Sequence, residues 1–328
     1  MQGLPLYYVR YYKVIRNLAS KIETLSKRET VSRPAEPAES VCRVIETRES
    51  LGEYPGLAGI TGRTLEILCG VSGLDMRRCL FVDTETTGLG GGSVAFLIGM
   101  GMIEDSSFVV RQLLMRDYDE EESSLSVFAD MLEDAQFLVS YNGKSFDVPL
   151  LRARFTINRL RGRFPELPHV DLLHASRRIW KRRLGGCSQK RIEEESLGMV
   201  REDDLPGSEV PKRYFEYLKE KDESLLEDIL RHNAKDVHGM ARIISLLAGI
   251  YENPASLTDS LDMFSLCRSF EMSAFTMERR RNNPSAALYC ADMAISIAIG
   301  EAGGEQGGQM GEMLARLERR KKRLLRYQ

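Results

Sequence analysis

The chain has 328 residues, 43% of them hydrophobic and 29% charged, which is enough to bury a core and excludes global disorder. Its 46 Lys and Arg against 48 Asp and Glu give a formal charge of −2, so a uniformly basic nucleic-acid coat is excluded while local patches are not. Cys42, Cys69, Cys79, Cys187, Cys267 and Cys290 form no CxxC pair, which argues against a zinc site or disulfide framework and suits a reducing, cytoplasmic setting.

Residues 1–30 read as an amphipathic helix, with Tyr7, Tyr8, Tyr11 and Tyr12 beside Arg10, Lys13, Arg16 and Lys21. It is either a surface helix or an arm for nucleic acid or a partner, and its cations break any signal-peptide core. Residues 31–40, rich in Pro, Glu and Ser, read as a linker, and Ile60–Gly70 as a helix with a glycine stop. Cys79–Asp83, Val94–Glu104 and Phe108–Met115 are three closely spaced apolar runs, which predict an antiparallel meander. The uncharged stretch from Thr86 to Ile103 is strongly apolar only from Val94, too short to span a bilayer as a helix, so no membrane association is expected.

A helix over Glu120–Asp134 follows, with acids in its first turn, then a strand at Phe137–Tyr141, a helix at Val148–Leu160 and a short strand at Val170–Leu173. Beyond it the pattern is helical: Ser224–Tyr251, Leu257–Arg280, Pro284–Ile299 and Gln309–Tyr327. This order predicts an α/β fold, a mixed sheet of an antiparallel meander then parallel strands, flanked by helices and carrying helical N- and C-terminal extensions. The expected divisions are a helical arm and linker at 1–76, a central domain at 77–250 and a helical cap at 251–328. In the cap, Ala287, Ala291 and Ala294 faintly suggest a tetratricopeptide-like pair.

Asp83 and Glu85 stand two apart in an extended strand, so they share a face. Burying both without compensation is costly, and a divalent cation with oxygen ligands, Mg²⁺ or Mn²⁺, is the natural compensation. A solvated turn capped by Thr84 and Thr86 is the alternative. Asp147 follows a tight turn at a strand-to-helix junction, where it could be an N-cap, face a metal, or do both. His232 and Asp236 share a helix face, which could equally be a solvated face with Arg231 and Lys235 ion-paired.

Three segments in order, LFVDTETTGL (80–89), VSYNGKSFDVPLL (139–151) and HNAKDV (232–237), are more specific together. With them the chain resembles the ribonuclease-H-like DEDD 3′-5′ exonuclease superfamily, and within it the YprB-like group. The resemblance implies a ribonuclease-H-like domain and a metal-dependent hydrolase of phosphodiester bonds using two Mg²⁺ or Mn²⁺ ions. Asp83 would bridge both ions, Glu85, Asp147 and Asp236 would complete the ligand set, and single-stranded DNA or RNA ends would be the substrate. The departure is His232. The superfamily carries His five residues before the last Asp or Tyr four before it, and here His232 stands four before Asp236. The two positions lie about 100° apart around a helix, so neither branch's geometry transfers directly. His232 is the candidate base or water-positioning residue, and His238, on another face from Asp236, is the weaker substitute. The rival readings are a nucleic-acid-binding or scaffold protein with a weakened site, and a structure-specific endonuclease.

Nucleic-acid contacts are expected from Asn142 and Lys144 in the second segment and from two basic clusters. Arg152, Arg154, Arg159, Arg161 and Arg163 form one; Arg177, Arg178, Lys181, Arg182 and Arg183, around Trp180, form the other. Such clusters fit a backbone-tracking groove with a base-stacking aromatic, or else solvated helix faces. Asp171 in HVDLLH reads as a support behind the metal ligands or as structural, and the glycines at 88 and 90–92 as a flexible loop rather than a P-loop. The run Arg319–Arg323 would pair with the acidic stretch Asp117–Glu122 or with phosphate.

Overall fold

The computed structural model describes residues 41–88, 90, 92–202, 204–280, 283–301 and 307–326. The aromatic helix and linker expected within 1–40 lie outside the described residues, as do Leu89, Gly91 and residues 302–306.

Six strands form one mixed sheet: β1 (Arg43–Ser50), β2 (Cys79–Thr86), β3 (Ala95–Glu104), β4 (Ser107–Leu114), β5 (Phe137–Ser140) and β6 (His169–Asp171), in the order β1-β4-β3-β2-β5-β6. The pairs among β1 to β4 are antiparallel, while β2–β5 and β5–β6 are parallel. The predicted meander followed by parallel strands is therefore the observed sheet.

One element corrects the sequence reading. Arg43–Ser50 falls in the stretch read as helical arm and linker, yet it is the edge strand against β4. Its sequence, RVIETRES, is mostly exposed and lacks the apolar alternation that marks a half-buried strand. It is held instead by the backbone ladder and by ion pairs from Arg111 to Glu46 at 2.6 Å and from Arg48 to Glu104 at 2.7 Å. Charges along an edge also discourage pairing with another chain.

The described helices are α1 (Gly62–Cys69), α2 (Glu121–Asp134), α3 (Asp147–Ile157), α4 (Leu172–Leu184), α5 (Gln189–Leu197), α6 (Val210–Glu220), α7 (Ser224–Glu252), α8 (Ser260–Arg280), α9 (Pro284–Gly300) and α10 (Gly307–Leu324). Strand alternation divides their packing. Leu80, Val82 and Met100 face Phe128 of α2 and Leu151 and Phe155 of α3. Phe81 and Val139 face Val237, Met240 and Ile244 of α7, in a core that runs on through Ile179 and Trp180 of α4 into α8, α9 and α10. Among the described residues no helix is long and apolar enough to cross a membrane.

Two glycines of the uncharged run let α7 lie directly on the sheet. A Cβ at Gly99 would stand 2.2 Å from Asn233 Oδ1, and one at Gly101 would stand 2.7 Å from Val237 Cγ1. At the far end of the chain, Ala287, Ala291 and Ala294 are fully buried, and small side chains allow α9 to approach its neighbours closely. In the basic run that follows, three cations meet acids of the helical region. Arg320 and Arg323 each reach Glu278 at 3.1 Å and Lys321 reaches Asp292 at 2.8 Å, while Asp117 is taken by Lys221 at 3.0 Å.

Candidate active site

Asp83 and Glu85 lie near the end of β2, a central strand, on the side covered by α7. Asp83 Oδ2 accepts a hydrogen bond from Asn233 Nδ2 at 2.7 Å. The amide of Asn233 is fixed in that sense because its Oδ1 accepts from Gln112 Nε2 at 2.8 Å, and the residue is fully buried. Thr84, between the two acids, turns to the other side and donates to Asp147 Oδ1 at 2.6 Å. Asp147 is thus the first residue inside α3, not its cap, and its carboxylate is tied to β2.

The turn that delivers Asp147 is held from below. Buried Asp171 accepts the N–H groups of Asn142 at 2.9 Å, Lys144 at 3.1 Å and Leu173 at 3.1 Å. Asn142 adopts φ 68°, and a Cβ at Gly143 would stand 2.4 Å from Ser140 Oγ and 3.0 Å from Asp147 Oδ2, so only glycine fits there. His169, bonded to Ser140 Oγ at 2.7 Å, is pushed down to about 4 by burial and then by Lys144, which keeps it neutral.

The fourth acid comes from α7. His232 Nε2 stands 4.0 Å from Glu85 Oε1 and 3.5 Å from Asp236 Oδ2, so both α7 residues turn toward β2 rather than to solvent. Glu85, His232 and Asp236 each offer a ligand atom within 4.8 Å of the others. The second ring nitrogen, His232 Nδ1, is bonded to Asp204 Oδ1 at 2.9 Å. Arg201 links the group: it reaches Asp236 Oδ1 at 2.7 Å, Asp204 Oδ2 at 3.4 Å, and Glu193 through two bonds of 2.5 and 2.7 Å. Glu193 comes that close because residue 239 is glycine, where a Cβ would lie 1.9 Å from Glu193 Oε1. His238 faces elsewhere, hydrogen-bonded to Tyr54.

The electrostatics follow from this crowding. Glu85 is 9% exposed, and among the described residues no hydrogen-bond donor reaches its carboxylate. Burial, then Asp236 and Asp147, hold it well above the usual carboxylate range. Asp83 is raised in the same way by burial, Asp236, Glu85 and Asp147, against the Asn233 bond. Burial pushes Asp147 up to about 6 despite Thr84, and raises Asp236 despite Arg201 and His232. Asp204 alone goes below its usual range, because His232 and Arg201 outweigh burial. Burial raises all four carboxylates, and neighbouring acids of the set add to it at Asp83 and Glu85; such a donor set of hard oxygens suits Mg²⁺ or Mn²⁺.

The expected nucleic-acid residues separate into two groups. Trp180 is 1% exposed inside the core and is not available to stack on a base. Arg154 is locked to Glu121 by bonds of 2.5 and 2.6 Å, and Arg152 is paired with Glu166 and laid over the Phe164 ring. The burial of Trp180 corrects the stacking role expected of it. By contrast Lys144, Lys181 and Arg182 line a cleft with exposed side chains, Arg182 resting on the Phe264 ring, and Asn142 is half-buried in the turn.

Sequence reasoning missed Asn233, Gln112, Arg201, Asp204 and Glu193. Only Asn233 carried a signal, lying within the quoted HNAKDV segment.

A sheet of this order with an acid pair on its central strand defines a class. The model of the RNase H superfamily matches residues 80–248, and the chain belongs to that superfamily. It is similar to a protein of Bacillus subtilis strain 168 described as uncharacterized protein YprB, 39% identical over 170 residues, which are 50% of this chain and 40% of that protein. The chain therefore matches less than half the length of that relative. Among solved structures it is similar to the family B DNA polymerase of Pyrobaculum calidifontis, at 17% identity and a TM-score of 0.44 over 62% of this chain and 29% of that one.

Proposed function

We propose that the acid cluster is the metal-binding centre of a nuclease that hydrolyses phosphodiester bonds, working in the 3′-to-5′ direction from single-stranded ends of DNA or RNA. The observation that carries this reading is Glu85, a buried carboxylate without a donor, facing Asp83, Asp147 and Asp236. Such a group is costly to bury unless a cation stands against it. Asp83, Glu85, Asp147 and Asp236 would hold two Mg²⁺ or Mn²⁺ ions, which when bound activate water and neutralise charge on the phosphate. The resemblance to DEDD exonucleases supports the number of ions and the direction.

His232 is the proposed base. Its Nδ1–H donates to Asp204, so in the neutral ring the lone pair sits on Nε2, which faces Glu85 and Asp236. Asp204, held ionised by Arg201, fixes that tautomer and supports the imidazolium that forms when Nε2 takes a proton from water. The unusual position of His232 is thereby served by an orienting acid from outside α7.

Arg201 favours one rival, a nucleic-acid-binding protein with a weakened site, since it occupies Asp236 Oδ1. One experiment separates them: 3′- and 5′-labelled single strands of DNA and RNA, incubated with Mn²⁺, Mg²⁺ or chelator, beside the Asp83→Ala/Asp236→Ala double variant. Metal-dependent shortening from the 3′ end that falls by at least about 100-fold in the variant is the expected result. Binding without cleavage by the folded wild type would give the rival the protein, and cutting of a closed circular strand would make it an endonuclease.

A further inference from the structure

A second feature adjoins the turn that leads into Asp147. A cleft of about 810 Å³ opens between α1, α4 and α8, and its lining is strongly cationic. Arg177, Arg178, Lys181 and Arg182 come from α4, and Arg268 and Arg280 from α8. Lys144 joins them from the turn that leads into Asp147. All seven side chains are on exposed residues, and among the described residues none forms an ion pair with a carboxylate. The one acid in the lining, Glu66, is 5% exposed and accepts two bonds from Asn283 Nδ2 at 2.9 and 3.1 Å.

Helix geometry makes the arrangement unfavourable when empty of anions. Arg177 with Lys181, and Arg178 with Arg182, are like-charge pairs at i,i+4 on one helix face. The helix C-terminus offsets part of the charge for Lys181 and Arg182 in the last turn of α4 and for Arg280 in that of α8. It does nothing for Arg177, Arg268 or Lys144. The surface concentrates positive potential in a concave place, within a chain whose total charge is −2.

We propose that this cleft holds the phosphate backbone of a single nucleic-acid strand whose end lies at the acid cluster, a few nucleotides away across the Asn142–Phe146 turn. The proposal rests on the nuclease reading of that cluster. Charge complementarity selects a polyanion, and a cavity of the size that usually takes one small organic ligand admits a few nucleotides of one strand rather than the breadth of a duplex. Exposed Met272, also in the lining, offers apolar surface to a base. In this arrangement α8, and with it the C-terminal helical region, completes the substrate path.

The test uses the full chain in chelator, where nothing is cut, with fluorescein-labelled 20-nucleotide single strands of DNA and of RNA read by anisotropy across a salt series. The variants are Arg177→Gln/Lys181→Gln/Arg268→Gln/Arg280→Gln and, as a mild change on a solvent-exposed position, Arg268→Gln alone. Each phosphate contact contributes about −0.7 to the slope of log affinity against log salt for a single strand. The quadruple variant is expected to lose close to 3 from that slope and at least about 10-fold in affinity, and Arg268→Gln about 0.7. Hydrolysis of the p-nitrophenyl ester of thymidine 5′-phosphate in Mn²⁺, too short to reach the cleft, should stay at the wild-type rate. Unchanged affinity and slope in the quadruple variant would overturn the proposal, as would a blunt duplex competing as well as the strand. If the wild type leaves the ester intact in Mn²⁺, the nuclease reading fails, while the binding series still judges the cleft. The DNA and RNA arms show which sugar the path prefers.

Discussion

Glu85 and Asp171 are buried carboxylates near the ends of two strands of the parallel half of the sheet, and they are treated in opposite ways. Asp171 accepts three backbone N–H groups and fixes the turn at 142–144. Glu85 accepts none among the described residues and faces three further acids. The first spends its charge on the fold, and its removal should leave orphaned donors. The second costs the fold stability, and an arrangement of that kind persists where an unmodified core residue would fit better. Burial alone therefore does not tell a structural acid from a functional one. What separates these two is the donors, three at Asp171 and none at Glu85 among the described residues.

The largest effect that would sharpen this contrast is expected at Asp171. Asp171→Ala leaves three N–H groups without their acceptor and should lower stability by about 3 kcal/mol, with a fall in Tm of about 9 °C by calorimetry. Glu85→Gln should do the reverse in metal-free protein at pH 7, raising Tm by about 3 °C, and should abolish the stabilisation by millimolar Mn²⁺ that the wild type shows. A lowered metal-free Tm with the Mn²⁺ shift intact would break the contrast.

The smallest effect is a slope. Because Asp83, Glu85, Asp147 and Asp236 have raised values in the folded state, the native protein holds protons that the unfolded chain has released. Their contribution is complete below the ordinary carboxylate range and is lost as pH rises, for Asp147 through about 6. The metal-free Tm should therefore fall between pH 5 and 7 (set by ordinary carboxylates near 4 and Asp147 near 6), to about those limits, and Glu85→Gln should flatten the fall. A Tm that rises over that window would contradict the raised values.

Much of this was legible in the sequence, for local reasons. Apolar runs and turn residues mark strands and helices wherever they build a two-faced element, and the sheet followed from them. The acids were legible because spacing alone puts Asp83 with Glu85 on one strand face and His232 with Asp236 on one helix face. What failed was whatever depends on partners distant in the chain. Arg43–Ser50 carries no apolar pattern, since a charged edge strand is held by a neighbour's backbone. Arg154 and Arg177 sit in similar basic clusters, yet only Arg154 meets a carboxylate, Glu121, from another helix. Arg201 and Asp204 lie in a connection after α5 whose composition says nothing of where it returns. Trp180 was misread against an available signal: with Leu172, Ser176 and Leu184 it forms a stripe at helical spacing, and the stripe is the buried one.

The hydrogen bond between Asn233 and Asp83 joins residues 150 apart in sequence. During synthesis the strands and the first two acids emerge long before α7 exists to cover them. Until that helix arrives, Asp83 and Glu85 face water and behave as ordinary surface carboxylates, without the crowding that raises them. The closure of this loop is slow relative to local helix and hairpin formation. A chain stalled before residue 236 would therefore lack both the fourth acid and the part of α7 that covers Phe81 and Val139.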